Sequence, residues 1–130
     1  MNIYNITKQK IIDILVNKYE NLDTSFFNNI SCEQPKNLNF GDISTNVVML
    51  LHKKLELNKE ELASFLINEL VKDDMFLEGS FVMPGFINIK ISNITLINLL
   101  DNLINNKKTF GFSNIGKGKK INIEFVSANP

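Results

Sequence analysis

One stretch constrains this chain more than any other. In Phe81-Val82-Met83-Pro84-Gly85-Phe86-Ile87-Asn88-Ile89-Lys90, two short apolar β-type segments meet at a Pro-Gly corner. Proline fixes its own φ and glycine reaches backbone angles closed to other residues, so the pair punctuates a strand rather than continuing it. Phe81, Met83, Ile87 and Ile89 are core candidates. Phe86 and Asn88 lie two apart and so project from one face of a strand. By composition alone Phe86 reads as a core strand residue. An aromatic beside an amide is also what would be set against an unstacked nucleobase.

Around this strand pair the chain alternates helical and extended patterns. Ile11, Ile12, Leu15 and Tyr19 recur at helical spacing opposite Lys8, Lys10, Asp13 and Lys18, which predicts a helix from about Asn5 or Thr7 to Glu20. Ile30 to Gln34 alternates and is stopped by Pro35, as a short strand would be. Phe40-Gly41-Asp42-Ile43-Ser44-Thr45-Asn46 reads as a helix start, with Asp42 as the cap and Val47, Val48, Leu50 and Leu51 carrying an apolar face onward to His52. Asn58 with Glu61 forms a capping-box-like pair ahead of Leu62, Phe65, Leu66 and Leu70. Ser92 caps a fourth helix whose Leu96, Ile97, Leu100, Leu103 and Ile104 make a wide apolar face. After glycines at 111, 116 and 118, Ile121 to Val126 reads as a β-run. The strands at 30–34, 76–83 and 86–91 look half-buried. The expected fold class is therefore α+β, a small antiparallel sheet covered by about four helices.

Several chemistries find no residues to run them. The single histidine, His52, has no Cys or Asp at metal-ligand spacing and reads as a helix-end residue. The single cysteine, Cys32, cannot form an internal disulfide; it reads as a buried inert thiol, and a reducing cytoplasm is the expected setting. Glu60, Glu61, Glu69, Asp73, Asp74 and Glu78 are spread over a helix face and a turn without calcium-loop spacing, so solvated charge is the expected reading. Gly111 to Gly118 approaches a phosphate-cradling loop, but Gly118 stands where Ser or Thr would hold Mg²⁺, and the strand–loop–helix order is reversed. Asn-x-Ser/Thr triplets at Asn5, Asn29 and Asn93 reflect only abundant Asn. No run approaches the length of a membrane span, and the N-terminus lacks an apolar signal core.

Charge qualifies any nucleic-acid reading. Fourteen basic and fourteen acidic residues balance, and every basic residue is Lys. The absence of Arg argues against an extensive phosphate-gripping surface. Between Asp101 and Glu124 no acid occurs, while Lys107, Lys108, Lys117, Lys119 and Lys120 all do. That segment reads as a solvated connection, compatible with contact to phosphates.

The C-terminal Glu124-Phe125-Val126-Ser127-Ala128-Asn129-Pro130 resembles the opening of the catalytic domain of arginyl-tRNA synthetases. Upstream, Pro35, Phe40-Gly41-Asp42 with Thr45-Asn46, and Pro84-Gly85-Phe86-Ile87-Asn88 are similar, in order, to landmarks of that family's N-terminal additional domain. The resemblance implies a tRNA-recognition domain over 1–118 and the first strand of a catalytic domain over 119–130. It implies tRNA(Arg) as partner, contacted at the outer corner where the D-loop and TΨC-loop meet, with Phe86 stacking on a splayed base and Asn88 bonding its edge. Lys107, Lys108 and Lys117 would touch the phosphate backbone. Glu124, Ser127 and Asn129 match residues lining the arginine pocket. The parent enzyme would join arginine to tRNA with ATP and Mg²⁺. The segment itself would be a non-catalytic monomer beside its catalytic domain, binding no cofactor. The family often carries Tyr where Phe86 stands, so contacts through that hydroxyl do not carry over. A packing module between domains or proteins, without direct RNA contact, is the rival reading.

Overall fold

The computed structural model describes residues 2–20 and 22–124. Its element order is α1 (Ile3–Lys18), a 3-10 segment (Thr24–Asn29), β1 (Cys32–Glu33), a 3-10 turn (Leu38–Phe40), β2 (Ile43–Thr45), α2 (Val47–Leu51), α3 (Lys59–Leu70), β3 (Phe76–Val82), β4 (Phe86–Ile91) and α4 (Asn93–Asn105). The strands form one antiparallel sheet in the order β1-β2-β4-β3. This is the expected α+β class.

The caps explain where the longer helices begin. Asn2 Oδ1 accepts from the amides of Tyr4 and Asn5, which starts α1 earlier than its apolar stripe alone indicates. Asn58 Oδ1 accepts from Glu61 N at 2.6 Å and Ser92 Oγ from Thr95 N at 3.2 Å, as the sequence predicts. His52 closes α2, its backbone N–H donating to Val48 O.

One face of the sheet makes the core. Ile43, Ile87, Ile89, Ile91 and Phe76 pack with Ile11 and Leu15 of α1, Val47, Val48 and Leu51 of α2, and Leu62, Leu66 and Leu70 of α3. Each fully buried Leu or Ile contributes about 1.5–3 kcal/mol from apolar burial. Tyr19 meets Phe65 edge-to-face with centroids 6.2 Å apart, tying the end of α1 to α3. Asp73 is not merely solvated charge: Lys10 Nζ donates to its Oδ2, and Met75 N donates to its Oδ1 at 2.9 Å. Its carboxyl is held below the usual carboxylate range by the Lys10 hydrogen bond first and the Met75 amide second. Cys32 is half-buried, and burial pushes its thiol pKa up.

Four further expectations change. Met83, a core candidate in the sequence, is 64% exposed at the corner. The segment from Phe40 to Asn46 is not a helix start; it leads into strand β2, and the helix begins only at Val47. Asn46, at the first turn of α2, makes no side-chain cap. Its amide instead accepts from Ser31 N at 2.9 Å and donates to Asn29 O at 3.1 Å, holding the β1 approach against the β2–α2 junction. The apolar stripe of α4 lies exposed, from Leu103 at 40% to Ile97 at 58%, with Thr95 its one buried residue. Helical periodicity makes such a face but does not supply a surface to cover it. Finally, residues 121–124 form no strand; the rest of the expected β-run lies outside the described residues.

Candidate functional site

The hairpin at the Pro-Gly corner positions the site. Gly85 N donates to Val82 O at 3.1 Å, closing the turn. The corner is held from two sides: Met49 N donates to Gly85 O, and Lys59 Nζ donates to Pro84 O at 2.6 Å. A Cβ on Gly85 would come within 3.0 Å of the Met49 Cα, so α2 approaches too closely for any larger residue.

Strand alternation then sorts β4. Ile87, Ile89 and Ile91 turn into the core, leaving Phe86, Asn88 and Lys90 on the opposite face. Asn88 stands in the middle of this outer face, with Ser44 of β2 on one side and Ser80 of β3 on the other. Phe86 pairs with Val82 nearer the corner, and Lys90 faces Glu78 with Nζ–Oε1 at 3.5 Å.

The 3-10 turn Leu38–Phe40 closes over this face and makes a cleft of about 490 Å³. Gly41 permits the close approach. It has φ +112, and a Cβ there would lie 2.8 Å from the Ile89 carbonyl oxygen. Asp42 N donates to Ile89 O at 2.9 Å, and the Asp42 carboxylate accepts from Ile91 N at 2.8 Å. Asp42 therefore clasps β2 to β4 and caps no helix.

Asn88 is 4% exposed and lines the cleft. The cleft residues Asp42, Glu78 and Lys90 bring two carboxylates against one ammonium. The polar edge of a neutral group suits this charge balance better than a phosphate does.

The sequence-predicted residues do not all converge. Asn88 lines the cleft; Phe86 lies on the same face but outside the cleft lining. Lys107, Lys108 and Lys117 are exposed in the turns that follow α4, and Glu124 is exposed at the edge of the described chain. Ser127 and Asn129 lie outside the described residues. Sequence reasoning missed Phe40, an aromatic 50% exposed that shares the cleft with Asn88. The available signal was its place before Gly41-Asp42, where a tight approach brings the preceding side chain onto the sheet.

A family model described as arginyl tRNA synthetase N terminal domain matches residues 5–91, from the first turn of α1 to the last residue of β4. Curated relatives named arginine–tRNA ligase include that of Rhizobium rhizogenes (strain K84 / ATCC BAA-868), 40% identical over 119 residues, or 92% of this chain and 20% of the relative. That of Agrobacterium fabrum is 40% identical over 111 residues, covering 85% of this chain and 19% of the relative. The protein of that name from Ruegeria sp. (strain TM1040) is 30% identical over 136 residues, covering 100% and 23%. The chain thus spans about a fifth of the length of the curated relatives it matches. Since the matched residues are the packed body that carries the clasp, the hairpin corner and Asn88, the chain belongs to the arginyl-tRNA synthetase N-terminal domain family.

Proposed function

We propose that this chain is the tRNA-contacting part of an arginine–tRNA ligase and that the outer face of its sheet meets a D-loop base at the outer corner of tRNA(Arg). The observation that carries the reading is Asn88, 4% exposed on the outer face of the sheet, where it lines a cleft with Phe40, Ser80 and Lys90. RNA sequence is read mostly at unstacked loop bases, through side chains that bond base edges and stack on base faces. Lys107, Lys108 and Lys117, which follow one another without an intervening acid, supply charge toward the backbone phosphates.

The ligase reaction, joining arginine to tRNA with ATP and Mg²⁺, belongs to the remaining four-fifths of proteins such as these relatives; this segment positions tRNA and performs no chemistry. Glu124, with Ser127 and Asn129, contributes to the arginine pocket, because a planar carboxylate pairs bidentately with a guanidinium. The protein works as a cytoplasmic monomer.

The test is binding of tRNA(Arg) and of a D-loop variant to this chain, followed by gel shift at low salt. The reading predicts weaker binding to the variant and to Asn88→Ala, and a steep loss with added salt. Equal binding of all pairs would overturn it. The exposed apolar stripe of α4 favours a second role for that helix, packing against a neighbouring domain, and this is compatible with RNA contact on the sheet.

A further inference from the structure

We infer that Lys59 is a positioning residue: its ammonium, bonded to the corner carbonyl of Pro84, sets where the start of β4 stands, and through it how well the domain tells one tRNA from another. This rests on the tRNA-contacting reading above and adds a residue from a different element, outside the cleft lining. Nothing local calls for a lysine at 59. It opens α3 directly after the Asn58 cap, where free amides carry partial positive charge and a cation is disfavoured. Glu60 and Glu61 complement that charge, and Lys59 opposes it. Among the described residues its ammonium pairs with no carboxylate. It reaches instead to Pro84 O, 25 residues away in sequence, at 2.6 Å. A hydrogen bond from an ionised donor is shorter and stronger than a neutral one.

That bond completes a clamp. The adjacent carbonyl, Gly85 O, accepts from Met49 N at 3.1 Å. Met49 N belongs to the first turn of α2, where Asn46 supplies no side-chain cap, so the corner carbonyl does what a cap would. Two neighbouring carbonyls thus tie the corner to the starts of two helices. β4 begins at Phe86, one residue past the corner, and Asn88 follows on the same face. β2 pairs with Ile87 to Ile89 and reaches no nearer the corner. At Phe86 the strand therefore has Val82 of β3 on one side and, toward the helices, the clamp. Of the two ties, Lys59 is the one made by a side chain, so it can be released without altering the backbone. The competing role for a lysine near an RNA-binding face is a point charge on a phosphate, and it predicts a different salt dependence.

The experiment compares labelled tRNA(Arg) and a D-loop variant binding to the 130-residue chain, by fluorescence anisotropy over a series of salt concentrations. Lys59→Met keeps the aliphatic stem and removes the donor. It should weaken tRNA(Arg) binding about 3- to 10-fold, less than a whole charged hydrogen bond would give because Met49 still holds Gly85. Binding of the D-loop variant should stay within about twofold, and the salt slope should not change. Lys59→Arg can still donate to the carbonyl and should restore the discrimination. Equal loss for both tRNAs overturns the inference and leaves the tRNA reading intact. A slope smaller by about one would then make Lys59 a phosphate contact, and an unchanged slope would make it a support of the fold alone. Undiminished discrimination by Lys59→Met also overturns the inference alone. A parent chain that binds tRNA(Arg) and its D-loop variant alike overturns the tRNA reading and the inference together.

Discussion

Gly41→Ala tests the physical basis of the cleft. At φ +112 an L-residue is strained by about 1–3 kcal/mol. The new Cβ would also lie 2.8 Å from the Ile89 oxygen and 3.2 Å from its carbonyl carbon. Those are backbone atoms of a central strand and cannot swing aside. The turn must retreat, stretching the 2.9 Å bond from Asp42 N to Ile89 O, which contributes about 0.5–1.5 kcal/mol. The sum is about 1.5–4.5 kcal/mol, and a chain of 130 residues, between the size classes, loses roughly 4 °C of Tm per kcal/mol. Thermal and urea unfolding followed by circular dichroism should show a fall of at least about 6 °C, with weakened tRNA(Arg) binding in the still-folded fraction. Gly111→Ala is the control: its φ is +85, but a Cβ there meets nothing within 4 Å. If Gly41→Ala cost no more than Gly111→Ala, the claim that close approach to β4 holds the turn would be wrong.

Other perturbations probe separate links. The Thr45 hydroxyl is buried and, among the described residues, has no nitrogen or oxygen partner, and the Cys32 thiol opposite is a weak one; Thr45→Val should raise stability by about 1 kcal/mol in urea titration. Asn58→Ala removes the acceptor for Glu61 N and should lower the urea midpoint by the equivalent of about 0.5–2 kcal/mol. Asp73 has its pKa lowered in the fold, so its contribution is complete above the unfolded value of about 4 and is lost as pH falls through that value toward the folded one. Urea midpoints at pH 6 and pH 3 should therefore differ less for Asp73→Asn than for the parent; an unchanged difference would refute a role for the Lys10 pairing. Leu66→Ala, deep in the α3 stripe, should cost about 2–5 kcal/mol with little change in tRNA affinity of the folded protein.

The hairpin was legible because its signals are local. Alternating apolar residues on both sides of Pro84-Gly85 predict strands close to the observed Phe76–Val82 and Phe86–Ile91. The caps at Asn58 and Ser92 were legible for the same reason, since donor and acceptor stand three residues apart. Family membership was also legible, through short motifs in order along the chain.

Of the cleft lining, the sequence singled out only Asn88, placed on one strand face with Phe86 by alternation. β2 has three residues and pairs with Ile87–Ile89, so nothing nearby in sequence distinguishes it from a helix start. Asp42 looks like a cap because caps are what an aspartate before an apolar run usually makes. Its real partner, the Ile91 amide, is 49 residues away. Likewise a helical period says that α4 has an apolar face, but only packing says that this face is uncovered. The pairing of Phe40 with Asn88 in one cleft belongs to the same class. Local periodicity and turn chemistry determine which segments become strands and helices; long-range backbone hydrogen bonds and steric fit at Gly41 decide which side chains face one another.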